Sequence, residues 1–322
     1  MFTHKDIEYR SIFVINCVKE RSLRVSNGEL LLEETEEKKT LTKLPFQKIL
    51  ALFVVGHITV TTPLIEKCKK YSVALIVVKP SFRPVFYWAN SAEANYLLRQ
   101  KQYALDKNDI TIAKLLIANK IMNQRQLLVN TRRRDLLTEE ALANCEACLE
   151  AIQDVSEYSS LMGIEGVASK AFFKAYFQDM EWVARRPRTK CDIINVALDI
   201  GYTMLFNYME CFVRMFGFDL YVGVFHRLWF KRKSLICDLM EPFRCIIDRC
   251  VRTAFNRGQF TVKDFTLIKG EYKLKLEKNA DYTKVFFDAL VDYKIDVFKY
   301  VQSYYRGFMQ GKSIEQYPKF GV

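Results

Sequence analysis

The sequence predicts an α+β fold, with a β-rich N-terminal domain over residues 1–90 and an all-helical C-terminal domain over residues 91–322. Three observations carry this prediction. Ahead of residue 90, short segments rich in Val, Ile, Leu and Phe are punctuated by turn residues, the texture of strands. Beyond it, apolar residues recur every three or four positions over long stretches, the period of helices packed on a core. No internal repeat and no low-complexity linker interrupts the 322 residues, a length that suits about two domains.

Taken in order, "SIFVINCV" is a candidate strand and "SLRVSNGELLLEE" a hairpin, because Asn27-Gly28 suits the positive φ angles of a type I′ turn. "KILALFVV" and "HITV" follow as strands, "PLIEKCKKYS" as a short helix, and "VALIVVK" as a buried strand. Pro80 and Pro84 break the next segment. The helical half opens at "SAEANYLLRQKQYAL", with Ser91 and Glu93 marking its start, and continues through "NDITIAKLLIANKIMNQRQLLVN". Thr138 is the expected N-cap of "TEEALANCEACLEAIQDV". "SEYSSLMGIEGVASKAFFKAYF" and "DIINVALDIGYTMLFNYMECFVRMFG" read as long, mostly buried helices, where Gly201 permits close packing and Gly217 a stop.

Composition narrows the function. Half of the residues are hydrophobic, which excludes a disordered chain. The apolar run at Ile49–Gly56 falls far short of the ~20 residues that span a bilayer. The opening "MFTHKDIEYR" lacks the apolar core of a signal peptide, and nine scattered cysteines fit reduced thiols, so a cytoplasmic location away from membranes is expected. A net charge of +12 favours a polyanionic partner. The basic residues gather in "TRRRD", "ARRPRTK" and "FKRKS". Of these, Arg185, Arg186, Arg188, Lys231, Arg232 and Lys233 are candidate DNA-binding residues, with Trp229 and Phe230 as adjacent stacking surfaces; Trp182 is read as facing the core.

The candidate chemistry lies in "LYVGVFHRLWFKRKSLICDLMEPFR". Asp238 and Glu241 stand at i and i+3 among apolar residues, where a carboxylate is costly unless a cation or a donor compensates it. Arg244 offers Glu241 an ordinary intrahelical ion pair, and Pro242 implies a kink. Glu165 is a lone acid in "LMGIEGVASKAFF" between Gly163 and Gly166, whose bare backbone suits the approach of a bulky group such as a phosphate. Together Glu165, His226 and Glu241 offer two carboxylates and an imidazole, a donor set for Mg²⁺ or Mn²⁺. Cys145-x-x-Cys148 lacks a second pair and sits in a helical pattern, which argues against zinc. His57 is read at a strand or turn edge and His4 in a flexible terminus; no glycine-rich phosphate loop is present.

These segments, in this order, carry a resemblance. "GIEG", "RRPRTKCDIINVALDIGYTML", "GFDLYVGVFH" and "LICDLMEPFR" resemble successive motifs of the CRISPR-associated spacer-acquisition integrase family, and "NGE", "HITVTTPLIEKCKKYSVALIVV" and "NYLLRQKQY" extend the likeness over nearly the whole chain. The resemblance implies an N-terminal β-sandwich, a C-terminal helical catalytic domain and a homodimer acting on DNA. It further implies that Glu165, His226 and Glu241 ligate the divalent metal, with Asp238 as a supporting acid. The implied reaction is attack by the 3′-hydroxyl of a short DNA duplex (the prespacer) on a phosphodiester at the CRISPR repeat boundary, alongside metal-dependent nuclease activity. Whether a small adaptation partner subunit joins stays open. The chain departs from the family pattern at Pro242, Cys245 and Ile193, none of them a ligand position. The competing reading is a non-catalytic nucleic-acid-binding subunit without a functional metal site.

Overall fold

A short helix, α1 (His4–Tyr9), leads into strands β1 (Ser11–Cys17), β2 (Arg21–Ser26), β3 (Glu29–Glu34), β4 (Thr40–Pro45) and β5 (Ile49–Gly56), helix α2 (Thr62–Tyr71), and strands β6 (Ala74–Val78) and β7 (Pro84–Trp88). Helices dominate the rest of this computed structural model: α3 (Tyr96–Tyr103), α4 (Thr111–Asn130), α5 (Leu136–Asp154), α6 (Tyr158–Tyr176), α7 (Ile193–Arg214), α8 (Ser234–Met240), α9 (Arg244–Asn256), α10 (Asn279–Val291) and α11 (Lys294–Gln310). A hairpin of β8 (Phe265–Ile268) and β9 (Glu271–Leu274) sits between α9 and α10. The structure describes residues 2–17, 21–34, 39–89, 92, 94–106, 108–180, 182–227 and 230–322.

Two sheets build the N-terminal layers. One has the order β1-β5-β6-β7, with the first three strands parallel and β7 antiparallel; the other is the antiparallel meander β2-β3-β4. Every residue of β5 is buried, as a parallel central strand covered on both faces requires. Its side chains divide by alternation. Leu52 and Val54 join Leu23 and Leu30 of the second sheet and Leu64 and Cys68 of α2, so the two sheets pack as a sandwich. Ala51, Phe53 and Val55 face the other way, into the core shared with the helices, where the Phe53 ring lies 4.7 Å from that of Phe287. The helices therefore rest on the sheet that the sandwich presents.

Local details confirm some expectations and correct others. Asn27 and Gly28 have φ angles of 49° and 80°, as the type I′ hairpin demands. A Cβ on Gly201 would lie 2.5 Å from Ile247 and 2.7 Å from Phe286, so the close packing is real. Gly217, with φ +86°, turns the chain just after α7. The N-cap of α5 is Asp135, whose carboxylate accepts the Thr138 N–H at 2.9 Å; Thr138 itself is inside the helix. "HITV" forms no strand, and its Ile58 and Val60 lean on the sandwich core from a connection. His4 begins α1, which a capping box between Thr3 and Asp6 secures. Pro84 opens β7, tolerated because an outer strand needs no N–H there. The β8–β9 ribbon within the helical region turns on Lys269 and Gly270, both at positive φ. Ser91 and Glu93 lie outside the described residues; α3 begins at Tyr96. All nine cysteines are free, and among the described residues no helix is long and apolar enough to cross a membrane.

Candidate active site

The segment that opens α8 is shaped around Asp238. This fully buried carboxylate accepts the backbone N–H of Val224 at 2.6 Å, of Phe225 at 3.0 Å and of His226 at 2.8 Å. It also meets His226 Nδ1 at 2.7 Å. A carboxylate only accepts, so Nδ1 carries a proton, and in the neutral imidazole Nε2 is then the nitrogen with the lone pair. Such an arrangement fixes the tautomer and direction of a metal-binding imidazole. The loop approaches so closely that a Cβ on Gly223 would strike the Asp238 carboxylate and lie 2.9 Å from Ser234. Glycine is required there, a requirement that sequence reasoning did not identify.

Pro242 interrupts the path from α8 to α9. Residues Glu241–Phe243 form a single 3₁₀ turn, which is the kink the sequence implied. The buried Glu241 projects from that turn, with Oε1 4.0 Å from His226 Nε2. Its Oε2 lies 2.9 Å from Arg244 Nε, the expected i,i+3 pair, and 2.8 Å from Lys120 Nζ. Glu165 comes from α6 and places Oε1 against the same Lys120 ammonium, while Ser169 Oγ donates to it at 2.9 Å. The glycines beside it leave open space: a Cβ on Gly163 or Gly166 would meet nothing within 4 Å.

Lys120 is the residue that sequence reasoning missed. It belongs to a stripe of buried polar side chains on α4, Asn119, Lys120, Asn123 and Gln124, at i, i+1, i+4 and i+5. That spacing puts them on one face of the helix, beside its buried Leu and Ile residues, and it was the available signal. Asn123 donates to the carbonyls of Pro242 and Phe320 at 2.8 and 3.0 Å, which locks the 3₁₀ turn to α4. The Phe320 ring stacks on Phe243 at 4.1 Å behind it.

Charge balance follows from this geometry. Burial works against ionisation of Glu241, but Arg244 and Lys120 outweigh it and hold the carboxyl down at about 2. Burial also opposes the Lys120 ammonium, and Glu241 with Glu165 reverses the effect, so its pKa rises above the ordinary lysine value. Arg244 continues outward, its guanidinium 4.6 Å from the Tyr202 ring centre. The Tyr202 hydroxyl donates to buried Asp248, whose carboxyl burial pushes up to about 7.

Glu165 and Glu241 thus meet at one ammonium, His226 Nε2 lies 4.0 Å from Glu241, and Asp238 stands behind the imidazole. The donor types suit a hard or borderline divalent cation. The point between the two carboxylates already stabilises a positive charge, that of Lys120. Among the described residues, however, no group of three or more His, Cys, Asp or Glu side chains stands where it could hold a metal ion. The ammonium stands between the donors.

The basic residues divide into two kinds. Arg185 is spent internally: it donates to Asn195 at 2.7 Å and Asp199 at 2.5 Å and lies 5.5 Å from the Tyr202 ring centre. Lys233 is likewise held, donating to both oxygens of buried Glu210 at 2.6 and 2.7 Å. Arg232 donates to the Arg227 carbonyl at 2.5 Å. Arg186, Arg188 and Lys231 remain exposed, and Lys231 sits beside the Phe230 ring, itself 82% exposed. Tyr202 lies between Arg185 and Arg244, so the "ARRPRTK" loop adjoins the Glu241 side of the site. Trp182 packs on Phe173 and Phe177, facing the core as expected; Trp229 lies outside the described residues.

Known proteins are similar to this chain in sequence and in fold. The family model described as CRISPR associated protein Cas1 matches residues 17–287. A CRISPR-associated endonuclease Cas1 of Thermodesulfovibrio yellowstonii is 29% identical over 233 residues, 69% of this chain and 73% of that protein. A chain of a Cas6-RT-Cas1–Cas2 complex superposes with a TM-score of 0.79 at 19% identity, over 97% of this chain and 36% of its own length. A casposase bound to integration product gives a TM-score of 0.77 at 18% identity, covering 96% of this chain and 94% of that one.

Proposed function

The chain belongs to the CRISPR-associated Cas1 family, and on that premise we propose that it is a divalent-metal-dependent DNA integrase and endonuclease of CRISPR adaptation. The observation that carries the proposal is that Glu165 and Glu241 share one ammonium while His226 Nε2 lies 4.0 Å from the second oxygen of Glu241. These three residues would hold Mg²⁺ or Mn²⁺, and Asp238 would fix the imidazole without itself being a ligand. When bound, such an ion neutralises charge on the scissile phosphate and lowers the cost of ionising the attacking hydroxyl.

In the proposed reaction a 3′-oxygen of the incoming DNA forms a bond to phosphorus at the repeat boundary. The bond from phosphorus to the old 3′-oxygen breaks, and that oxygen takes up a proton. One phosphodiester replaces another, so no energy-supplying cofactor is needed. With water as the attacking group the same exchange is endonucleolytic cleavage. The open backbone at Gly163 and Gly166 leaves room for a phosphate beside Glu165. Exposed Arg186, Arg188 and Lys231 are suited to holding the flanking strands by their phosphates. The fold shared with a casposase bound to integration product supports DNA as the substrate.

The assembly is proposed on the same footing. Residues 1–90 would pair two copies, since β4 presents a mostly exposed outer strand, and residues 91–322 would carry catalysis. A small Cas2-type subunit is a candidate partner, by analogy with the Cas6-RT-Cas1–Cas2 complex. A strand-transfer assay with labelled DNA tests the proposal. Products should form with Mg²⁺ or Mn²⁺, vanish with EDTA, and be lost in Glu165→Ala, His226→Ala and Glu241→Ala while circular dichroism stays unchanged. Wild-type turnover in any of these variants removes that residue from the site. DNA binding without turnover in any metal would favour the non-catalytic subunit.

A further inference from the structure

We propose that Lys120 is an internal counter-ion that competes with the divalent metal: its ammonium holds Glu165 and Glu241 together until the metal enters, and must leave for the metal to bind. The inference rests on the metal reading given above and adds a residue and a sequence of events to it.

The geometry is specific. Lys120 reaches from α4 to a carboxylate on α6 and another on the 3₁₀ turn, so one ammonium joins three separate elements. Its side chain is 10% exposed and that of Glu241 4%, which makes the pair a buried one. Removing one partner of a buried pair leaves an uncompensated charge, so two carboxylates brought this close require a cation at all times. In the metal-free protein Lys120 supplies it to both carboxylates, and Arg244 adds a second cation on the Glu241 side alone. A divalent ion holds carboxylate oxygens at about 2.0–2.2 Å and carries twice the charge. An ammonium and a divalent ion sharing the same carboxylates would repel strongly at low dielectric, so the two occupy the site in turn.

Lysine suits this exchange. Its charge is compact and sits on a flexible stem of four carbons, so it can swing away without moving α4. An arginine at this position would grip both carboxylates with a rigid fork. The helix itself is fixed, because Asn119 and Asn123, on either side of Lys120, hold the Phe320 backbone and the Pro242 carbonyl. The stem therefore moves against a rigid frame. The consequence is an affinity penalty: if the bridged state outweighs the open one by about ten to one, apparent metal affinity is weakened about tenfold.

The test is calorimetric titration of the full-length protein with MnCl₂, in the absence of DNA, for wild type, Lys120→Met, Lys120→Arg and Glu165→Gln. Lys120→Met should bind Mn²⁺ about tenfold more tightly than wild type, because the competitor is gone. Lys120→Arg should bind no better than wild type, and Glu165→Gln should bind more weakly. A second readout is thermal unfolding: metal-free Lys120→Met should melt below wild type, and added Mn²⁺ should recover more stability in it than in wild type. Should Lys120→Met fail to fold, Lys120→Gln provides the same comparison with a polar, uncharged side chain. Wild-type binding with equal or weaker binding by the uncharged variant overturns the exchange and leaves Lys120 as a support of the loaded site. Absence of Mn²⁺ binding in both wild type and the uncharged variant overturns the metal reading itself.

Discussion

Asp238 directs both of its oxygens to protein donors and none to open space. It thereby fixes the loop from Val224 to His226 and the direction of the imidazole. The amino-acid types alone made Glu165, His226, Asp238 and Glu241 visible, because each is a polar group in apolar surroundings. Lys120 was harder to see: a lysine within a helical stretch is ordinarily solvated, and its only mark in the sequence was the polar stripe it shares with Asn119, Asn123 and Gln124. Asp248 gives a separate residue-scale prediction. Burial raises its carboxyl from 3.8 to about 7, against the pull of Tyr202 and Arg244. Between those values the folded protein binds a proton that the unfolded chain has released. Stability should therefore fall as pH rises from about 4 to about 7. In Asp248→Asn that fall should be absent, as chemical denaturation at a series of pH values would show. An identical pH profile in the variant would remove Asp248 as its source.

Elements are positioned by small features that sequence reveals unevenly. Pro242 announced the break between α8 and α9, and the 3₁₀ turn there is what aims Glu241 at His226. The hairpin at Asn27-Gly28 was equally legible, since few residues accept two successive positive φ angles. The hairpin at Lys269-Gly270 uses the same backbone with a weaker signal, and its short strands lie among strongly helical neighbours. Strand β4 carries mostly exposed residues, so no apolar alternation marks it; its pairing with β3 defines it instead. Gly201 allows a direct measurement of element packing. Helix propensity favours Gly→Ala by about 1 kcal/mol, while overpacking costs roughly 1–3 kcal/mol. A new Cβ there would press on two core side chains, Ile247 and Phe286, well inside normal approach. Gly201→Ala should thus lower unfolding stability by up to about 2 kcal/mol in urea titration. A gain in stability would show that α7 and α9 have room to spare.

Across the whole molecule, the net charge of +12 indicated a polyanionic partner, and the structure decides which basic side chains are free to meet it. Arg185 and Lys233 looked equivalent to their neighbours in sequence, yet Asp199 and Glu210 claim them. Sequence order cannot show this, because both acids come from α7 and reach the basic loops only through folding. DNA binding should reflect the division. The double variant Arg186→Ala, Arg188→Ala should weaken binding to all sequences alike. It should also reduce the slope of log affinity against log salt by about 0.9 for every phosphate that is no longer neutralised. Arg185→Ala should instead disturb the loop against α7 and lower stability. An unchanged salt slope in the double variant would place the DNA elsewhere, with the 131–135 segment the next surface to test. The division into sandwich and helical layers was legible from the change of period near residue 90. The shared core that runs from Phe53 to Phe287 was not, since periodicity records which face is apolar and not what covers it.

The proposed metal site joins Glu165, His226 and Glu241, with Lys120 as the competing cation. Anomalous diffraction from crystals of the full-length protein soaked in MnCl₂ tests it most directly. The expected result is a manganese peak within coordination distance of both glutamates and His226 Nε2, with the Lys120 ammonium turned away from the carboxylates. A peak elsewhere, or no peak while Lys120 still bridges Glu165 and Glu241 at saturating manganese, would contradict it.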